Sequence, residues 1–594
     1  MCGIGGILYS RDKQEQLQQK ITKLGNHQQH RGPDGRSEKL WSRHALCHQR
    51  LALLDASGGS QPLSDATGRY TIVYNGEVYN YAALKTALSP YYTFTTHCDT
   101  EVVLAAYIVW GERCLDQFNG MFSFLIWDEQ TATAFAARDP LGVKPFVYYQ
   151  EQGTFSFASE VKALLSVCGT HPGLDAYALA EYVVAPYLSG GTMPVHRTFQ
   201  YLQPGHFMRI SAHAVTTHRW YQFNWQRNTQ DSARLAAAAA AAMEQSVTES
   251  LRADVPVGIF LSGGLDSSLI AAIAATRSRY PMPAYTICFE RHQEIVFDAG
   301  TIVNSDDLPY AERLATSLGL SLERVETKHI TLAESLQQLA GINDRIPVWE
   351  QEFSQHFLSR AAASRVKAVL VGDAADETNY GYFFLLREEV NSSPMGLLHL
   401  FGARERLQLL APHLQKQLEP LAYFEDQYRR LAAAAGYDFS GGGEESILAM
   451  STLVHQRWLT RLLHNGDIHT MRYGLEARVP FANRNMLDAV SQVYPNEGFK
   501  NGREKQVIRQ AASKWLDEEF YLRRKSALPR DPRTGAQYQR LLHQLLQGKN
   551  DFIDTWLNRP ALEALCKQPV VQENDRMQLF NMIVLIYWAQ VYAN

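Results

Sequence analysis

Cysteine is scarce and odd in number, seven in 594 residues, and no two fall in a CxxC spacing. That excludes a disulfide-knit secreted module and a paired zinc ribbon, and it points to a reducing, cytoplasmic setting. An excess of one charge is also lacking. Lys and Arg number 57 against 61 Asp and Glu, a net charge of −4. That balance gives no support to a nucleic-acid-coating surface, a small local basic patch aside. No stretch approaches the ~18 consecutive apolar residues of a membrane span. The alanine-rich segment 236–242 is too short for one and reads as helix. The start lacks a basic segment followed by an apolar run, so no secretory leader is expected. It reads Met1-Cys2-Gly3-Ile4 and turns polar through residues 11–39. Removal of Met1 alone would leave Cys2 with a thiol and a free α-amine.

What is present is globular: 46% hydrophobic and 20% charged residues, long enough for more than one domain. Residues 1–210 carry short apolar or alternating runs at 4–8, 70–74, 121–127, 133–137, 144–149 and 154–158. Turn residues such as Asn75-Gly76 and Asp139-Pro140 lie among them. Leu17, Ile21 and Leu24 share one helical face, and Val102, Val103, Ala106 and Val109 another. Strands with two helical layers predict an α/β/β/α sandwich. Residues 211–230 read as a linker. From 231 to 594 the rhythm changes. Near-continuous apolar strands at 255–261, 284–289, 322–326 and 367–371 alternate with helices, which predicts a buried parallel sheet. The last ~200 residues are helical by apolar spacing.

The strongest local motif is Ser262-Gly263-Gly264-Leu265-Asp266-Ser267-Ser268, directly after a strand. A glycine-rich turn opening a helix converges backbone N–H groups on an anion. The lysine of GxxxxGK[ST] is missing and an aspartate takes its place, which suits a Mg²⁺-bound pyrophosphate rather than γ-phosphoryl transfer.

This motif resembles the PP-loop of ATP pyrophosphatases. With the Met-Cys-Gly-Ile start, the chain is similar to the glutamine-dependent (class II amidotransferase) asparagine synthetase family. The resemblance extends through Arg31-Gly32-Pro33-Asp34-Gly35, His48-Gln49-Arg50-Leu51, Asn75-Gly76-Glu77-Val78-Tyr79-Asn80 and Asp99-Thr100-Glu101. It continues through the RDxxGxKP segment at 138–145, the FASExKA segment at 157–163, Glu476-Ala477-Arg478-Val479-Pro480-Phe481 and Arg524-Lys525. Residues 380–450 match poorly.

The resemblance implies an α/β chain with an Ntn-type glutaminase sandwich and an adenine nucleotide α-hydrolase-like parallel-sheet domain with a helical C-terminal region. It implies that Cys2 attacks the glutamine carboxamide, with its own α-amine as base. Asn75 and the Gly76 N–H would form the oxyanion hole. Arg50 would hold the α-carboxylate of glutamine, and Glu77 and Asp99 its α-ammonium. In the second domain a carboxylate would attack the α-phosphorus of ATP, giving an acyl-adenylate and PPi. Leu261, Ser262, Gly263, Gly264, Leu265, Asp266, Ser267, Ser268, Ile287 and Gly372 would bind the nucleotide. Asp266 and Asp376 would bring Mg²⁺, and Lys525 would neutralise charge on the phosphates or the tetrahedral intermediate. Ammonia would cross between the domains by an internal tunnel.

The sequence departs from the family at the acceptor side. The SGEGxDE signature reads Val371-Gly372-Asp373-Ala374-Ala375-Asp376-Glu377. Asp373 replaces a glutamate thought to deprotonate the ammonia adduct or position the substrate. Thr378-Asn379-Tyr380 replaces an apolar-Phe-Gly triplet, and Ala482-Asn483 replaces an apolar-Asp pair. The loop 290–307 is long and mixed in charge, readable as a surface insertion or as a lid. Expected partners are therefore glutamine and a small carboxylate, aspartate by default and a specialised acid as the alternative. No nucleic acid or membrane is expected, and a homodimer is left open. An inactive amidotransferase-like regulator is the remote alternative, and retention of both Cys2 and Asp266 opposes it.

Overall fold

The computed structural model describes residues 2–55, 58–189, 194–226, 231–289, 306–327, 331–342, 344–500, 502–526, 531–570 and 573–593. In chain order the first part carries β1 (Cys2–Leu8), β2 (Gly35–Leu40), β3 (Ala45–Arg50), β4 (Leu63–Ser64), β5 (Tyr70–Val78) and β6 (Gly120–Asp128). There follow β7 (Thr133–Arg138), β8 (Val147–Glu151), β9 (Thr154–Ala158), β10 (Gln200–Tyr201), β11 (His206–Ile210) and β12 (Val215–Arg219). They form two six-stranded sheets in the orders β10-β8-β9-β1-β3-β2 and β12-β11-β7-β6-β5-β4, with antiparallel pairing.

Ile4, Leu8, Leu46, Val73, Leu125, Trp127 and Phe157 fill the space between these sheets. The helix Gln14–Asn26 covers one outer face through Leu17, Ile21 and Leu24. The helix Asp99–Trp110 covers the other. The central strands of each sheet are thus buried on both faces, which is why they read as apolar runs more than as alternation.

The run at 144–149 does not start a strand at Lys144. Pro145 has no N–H to give a ladder. The Lys144 N–H donates to Asp139 (3.0 Å) and its carbonyl accepts from Arg138 (2.7 Å), so β8 begins only at Val147.

The second part holds β13 (Val257–Phe260), β14 (Pro283–Cys288), β15 (Ser321–Glu326), β16 (Ala368–Leu370) and β17 (Glu476–Arg478). They make a parallel sheet in the order β15-β14-β13-β16-β17. The sequence reversal beside β13 opens a crevice at the carboxyl ends of β13 and β16, where open α/β sheets bind ligands. Beyond Ala375 the chain is mainly helical and closes on Glu573–Tyr592. Most of the loop 290–307 lies outside the described residues.

Asn483, where the family carries an acid, caps the helix Arg484–Val490 and donates through Nδ2 to Glu249 (3.2 Å). Asn119 of the sandwich donates to the same carboxylate (3.0 Å). An aspartate at 483 would face Glu249 with like charge; the amide bonds it.

Candidate active sites

Cys2 opens β1, opposite Arg50 of β3, and is buried. Its backbone N–H donates to Asn75 Oδ1 (3.0 Å). That bond fixes the Asn75 amide with its Nδ2 buried and without a hydrogen-bond partner among the described residues. A buried donor left over in this way fits an oxyanion. Gly76 follows on β5. A Cβ there would lie 2.3 Å from the Met121 carbonyl, so only glycine lets β5 pair with β6 beside the thiol. Burial raises the Cys2 thiol pKa, while a terminal positive charge, the Leu51 N–H and Arg50 pull it down.

Asp99 sits in the first turn of its helix and accepts from the Tyr74 hydroxyl (2.7 Å) and the Val78 N–H (3.1 Å). Glu77 lies near Arg478 of β17 (3.6 Å). Burial, with Asp99 and then Glu476 beside it, holds Glu77 well above the usual carboxylate range. Burial also raises Asp99, against the hydrogen bonds from Tyr74 and Val78. Such a pair gains from an incoming cation. Arg50 Nη2 donates to the carbonyls of Asp55 (2.6 Å) and Leu54 (3.4 Å), which fold beside it.

The second centre is a cleft of about 210 Å³ at the carboxyl ends of β13, β14 and β16. Leu261, Ser262, Gly264, Leu265, Asp266, Ser267, Ile287 and Gly372 line it. Gly263 and Ser268 stand outside that lining: Gly263 turns the loop with φ +77°, and Ser268 is buried on its helix. A Cβ on Gly263 would lie 2.6 Å from the Ala311 N. Ser262 Oγ accepts from the Gly264 N–H (3.2 Å) and contacts Ser267 Oγ (3.0 Å), which tightens the turn.

Gly372 brings the acidic segment against this turn, its missing Cβ only 3.2 Å from Asp266 Cβ. Asp266 and Asp376 then converge on one ammonium: Lys505 Nζ is 2.5 Å from each. Lys525 pairs with Asp376 and lies over the Tyr382 ring. Burial opposes the Lys505 charge, yet Asp266 and Asp376 hold it protonated well above its ordinary range. Despite burial, Lys505 and Lys525 hold Asp376 below the usual carboxylate value. Asp373 is pushed up to about 6 by burial and by Asp376 and Asp266. Ala374, in the family's glycine position, has φ +70°.

Among the described residues no group of three or more His, Cys, Asp or Glu side chains has metal-cage geometry. That still fits Mg²⁺, which is held by one or two carboxylates plus substrate phosphates rather than by an all-protein cage. Asp266 Oδ1 is buried without a hydrogen-bond partner among the described residues.

Sequence reasoning missed Lys505 and Arg523. Arg523 donates to the Gly263 carbonyl (2.7 Å), pairs with Asp307 and stacks on Tyr310, so it clamps the turn. Lys505 sits in a charged run, Arg503-Glu504-Lys505, that reads as solvated surface. Its one cue is structural, a left-handed φ of +53°.

A single helix, Thr460–Met471, stands between the centres. A Cβ on Gly466 would lie 3.1 Å from Asp373 Oδ2. The next residue, Asp467, bonds Arg31 (2.8 Å) and Lys144 (3.4 Å) of the sandwich. Arg31 in turn donates to the Cys2 carbonyl (3.1 Å).

A cysteine opening the central strand of an antiparallel sandwich, buried against a PP-loop sheet, defines a two-centre enzyme of the glutamine amidotransferase class. Residues 1–221 match the glutamine amidotransferase domain and residues 238–590 match asparagine synthase. The chain belongs to the asparagine synthase family. It is 30% identical to asparagine synthetase [glutamine-hydrolyzing] 3 of Bacillus subtilis, over 95% of this chain and 93% of that one. It is 27% identical to asparagine synthetase [glutamine-hydrolyzing] 1 of the same organism, over 89% and 87%. With asparagine synthetase B of Escherichia coli the identity is 28%, over 88% and 81%.

Proposed function

We propose that this chain makes asparagine from aspartate, glutamine and ATP. Residues 1–210, with β12 (Val215–Arg219) of the expected linker completing the sandwich sheet, form the glutaminase and residues 231–594 the synthetase. After removal of Met1, the Cys2 α-amine, with a reference pKa of about 7.7–8.0, takes the thiol proton. The thiolate adds to the glutamine carboxamide. Asn75 Nδ2 and the Gly76 N–H receive the oxyanion, Arg50 the α-carboxylate, and Glu77 with Asp99 the α-ammonium. Ammonia leaves, and water releases glutamate from the thioester.

In the cleft the aspartate β-carboxylate attacks the α-phosphorus of ATP and PPi departs. Ammonia then displaces AMP. Asp266 and Asp376 would hold Mg²⁺, which when bound neutralises the phosphate oxygens. Lys505 and Lys525 place positive charge where the pyrophosphate leaves. Asp373 takes the proton of the attacking ammonia.

The observation that carries this reading is the Thr460–Met471 helix, with Gly466 against Asp373 and Asp467 tied through Arg31 to Cys2. On this reading ammonia crosses beside this helix from Cys2 to the cleft, kept from bulk water. The reading includes a cytoplasmic enzyme with no nucleic-acid or membrane partner. No described helix is long and apolar enough to cross a membrane.

The test is ATP-dependent PPi release over a panel of carboxylates, aspartate first, with glutamate formation followed in parallel. Aspartate should raise both rates and yield asparagine. No response to aspartate, with a response to another acid, would reject aspartate as acceptor and keep the two-centre chemistry.

A further inference from the structure

Away from both centres, the junction between the sandwich and the helical region holds a cavity of about 220 Å³. Leu141, Pro204, Tyr221 and Phe223 wall it on one side and Leu431 with His455, Gln456, Arg457, Leu459 and Thr460 on the other. The helix Gly443–Leu453 widens there into a π turn, Val454–Leu459, before continuing as Thr460–Met471. Such turns inside α-helices are frequent at functional sites.

His455 sits on this turn and lines the cavity. It is 9% exposed, its ring stacks on Phe223 (4.7 Å, 17°), and its Nε2 has no hydrogen-bond partner among the described residues. Burial lowers its pKa to about 4, so the ring is neutral near pH 7 and able to donate. Among the described residues no Asp or Glu lines the cavity; Arg457 lines it and pairs with Glu181 (2.7 Å), while Arg219 stands exposed at its rim. A buried polar atom without a partner is rare unless a water or ligand supplies one.

We propose that this cavity binds a small aryl carboxylate and thereby tunes the coupling of the two centres. The aromatic ring fits among Leu141, Phe223 and Leu459, and the carboxylate accepts from His455 Nε2 and faces Arg219. The volume lies below the roughly 300–1,000 Å³ of drug-sized pockets, so the ligand is fragment-sized. Its route to the chemistry is short. Asp139 accepts from the N–H groups of Leu141 (3.1 Å), Val143 (3.0 Å) and Lys144 (3.0 Å), which ties the cavity wall and Lys144 into one loop. Lys144 reaches Asp467, Asp467 bonds Arg31, and Arg31 bonds the Cys2 carbonyl. From the other wall, the π turn runs straight into the helix that carries Gly466 and Asp467.

The probe is phenylacetate, titrated into the full chain by calorimetry and saturation-transfer NMR, with neutral phenylacetamide beside it. Saturable phenylacetate binding is expected, about tenfold or more tighter than phenylacetamide and unchanged by saturating ATP. His455→Phe keeps the stacked ring but removes the nitrogen, and should weaken binding about tenfold. Gln456→Trp, at the half-buried edge of the turn, should fill the cavity and abolish binding. Bound phenylacetate should change the glutamate formed per PPi released, and Gln456→Trp should remove that response. Absent saturation, displacement by ATP, equal affinity for phenylacetamide, or binding unaltered in both variants would each overturn the proposal. If either variant misfolds, the amide comparison and the ATP competition still decide it.

Discussion

Lys505 offers the sharpest test of the adenylation centre. Lys505→Met keeps an unbranched stem and removes the ammonium. In the structure that ammonium is 2.5 Å from both Asp266 and Asp376, and its side chain is 3% exposed. Two costs follow. Breaking a buried ion pair by deleting one partner costs about 3–5 kcal/mol. Here the loss should fall below that range, because Lys525 still pairs with Asp376 and Asp266 can take a proton. The catalytic cost is separate. Removing one preorganised group from developing charge costs about 2.7–4 kcal/mol, or 10²–10³ in rate. Aspartate- and ammonia-dependent PPi release should therefore fall by about 10²–10³, with glutamine hydrolysis retained. Lys514→Met is the control: that ammonium pairs with Glu244 on the surface, 57% exposed, and its loss should leave both rates alone. A folded Lys505→Met enzyme whose PPi release stays within about threefold of the parent, under 1 kcal/mol, would remove Lys505 from the reaction.

Further outcomes bear on the other parts. Cys2→Ala should abolish glutamine use and spare ammonia-dependent synthesis, measured as asparagine formed from each nitrogen source; loss of both in a folded protein would contradict separate centres. Ala374→Gly should stabilise by about 0.5–1 kcal/mol in denaturant melts. The left-handed φ costs an alanine about 1–2 kcal/mol, and glycine's extra freedom returns about 0.5–1 kcal/mol of that; a lower midpoint would refute the strain. Asp344 accepts from the Lys162 N–H (3.3 Å) across the junction, and burial pushes it up to about 7. Since its unfolded value lies near 3.9, ionisation costs the folded state stability as pH rises from there through about 7. Asp344→Asn should flatten that decline, read as the melting temperature at pH 5.5 and 8.5; parallel curves would count against it.

The linear sequence carried a good deal of this. Apolar runs marked most strands because the central strands of all three sheets are covered on both faces, so burial is written into consecutive residues. Cys2, Asn75-Gly76 and the 262–268 turn were legible because each depends on neighbours in sequence: a strand start, a strand pair, a strand–turn–helix. Short polar strands were not legible. β2 and β12 expose much of their surface, and little in their composition separates them from loop. Nor was the loop held by Asp139 and Arg138, whose bonds end the run at 144 before it can join a sheet.

What only the tertiary structure decided is what lies between distant segments. Lys505 reads as surface charge until β13 and β16 bring Asp266 and Asp376 to it from 239 and 129 residues away. Asp467 reads as a helix acid until Arg31 and Lys144 close on it. Sequence alone determined the chemistry each segment can perform, since nucleophiles, glycine turns and acid pairs are local. Folding decided which charges neutralise one another and which helix separates the two centres. Those relations are set by sheet order and packing, which no local pattern encodes.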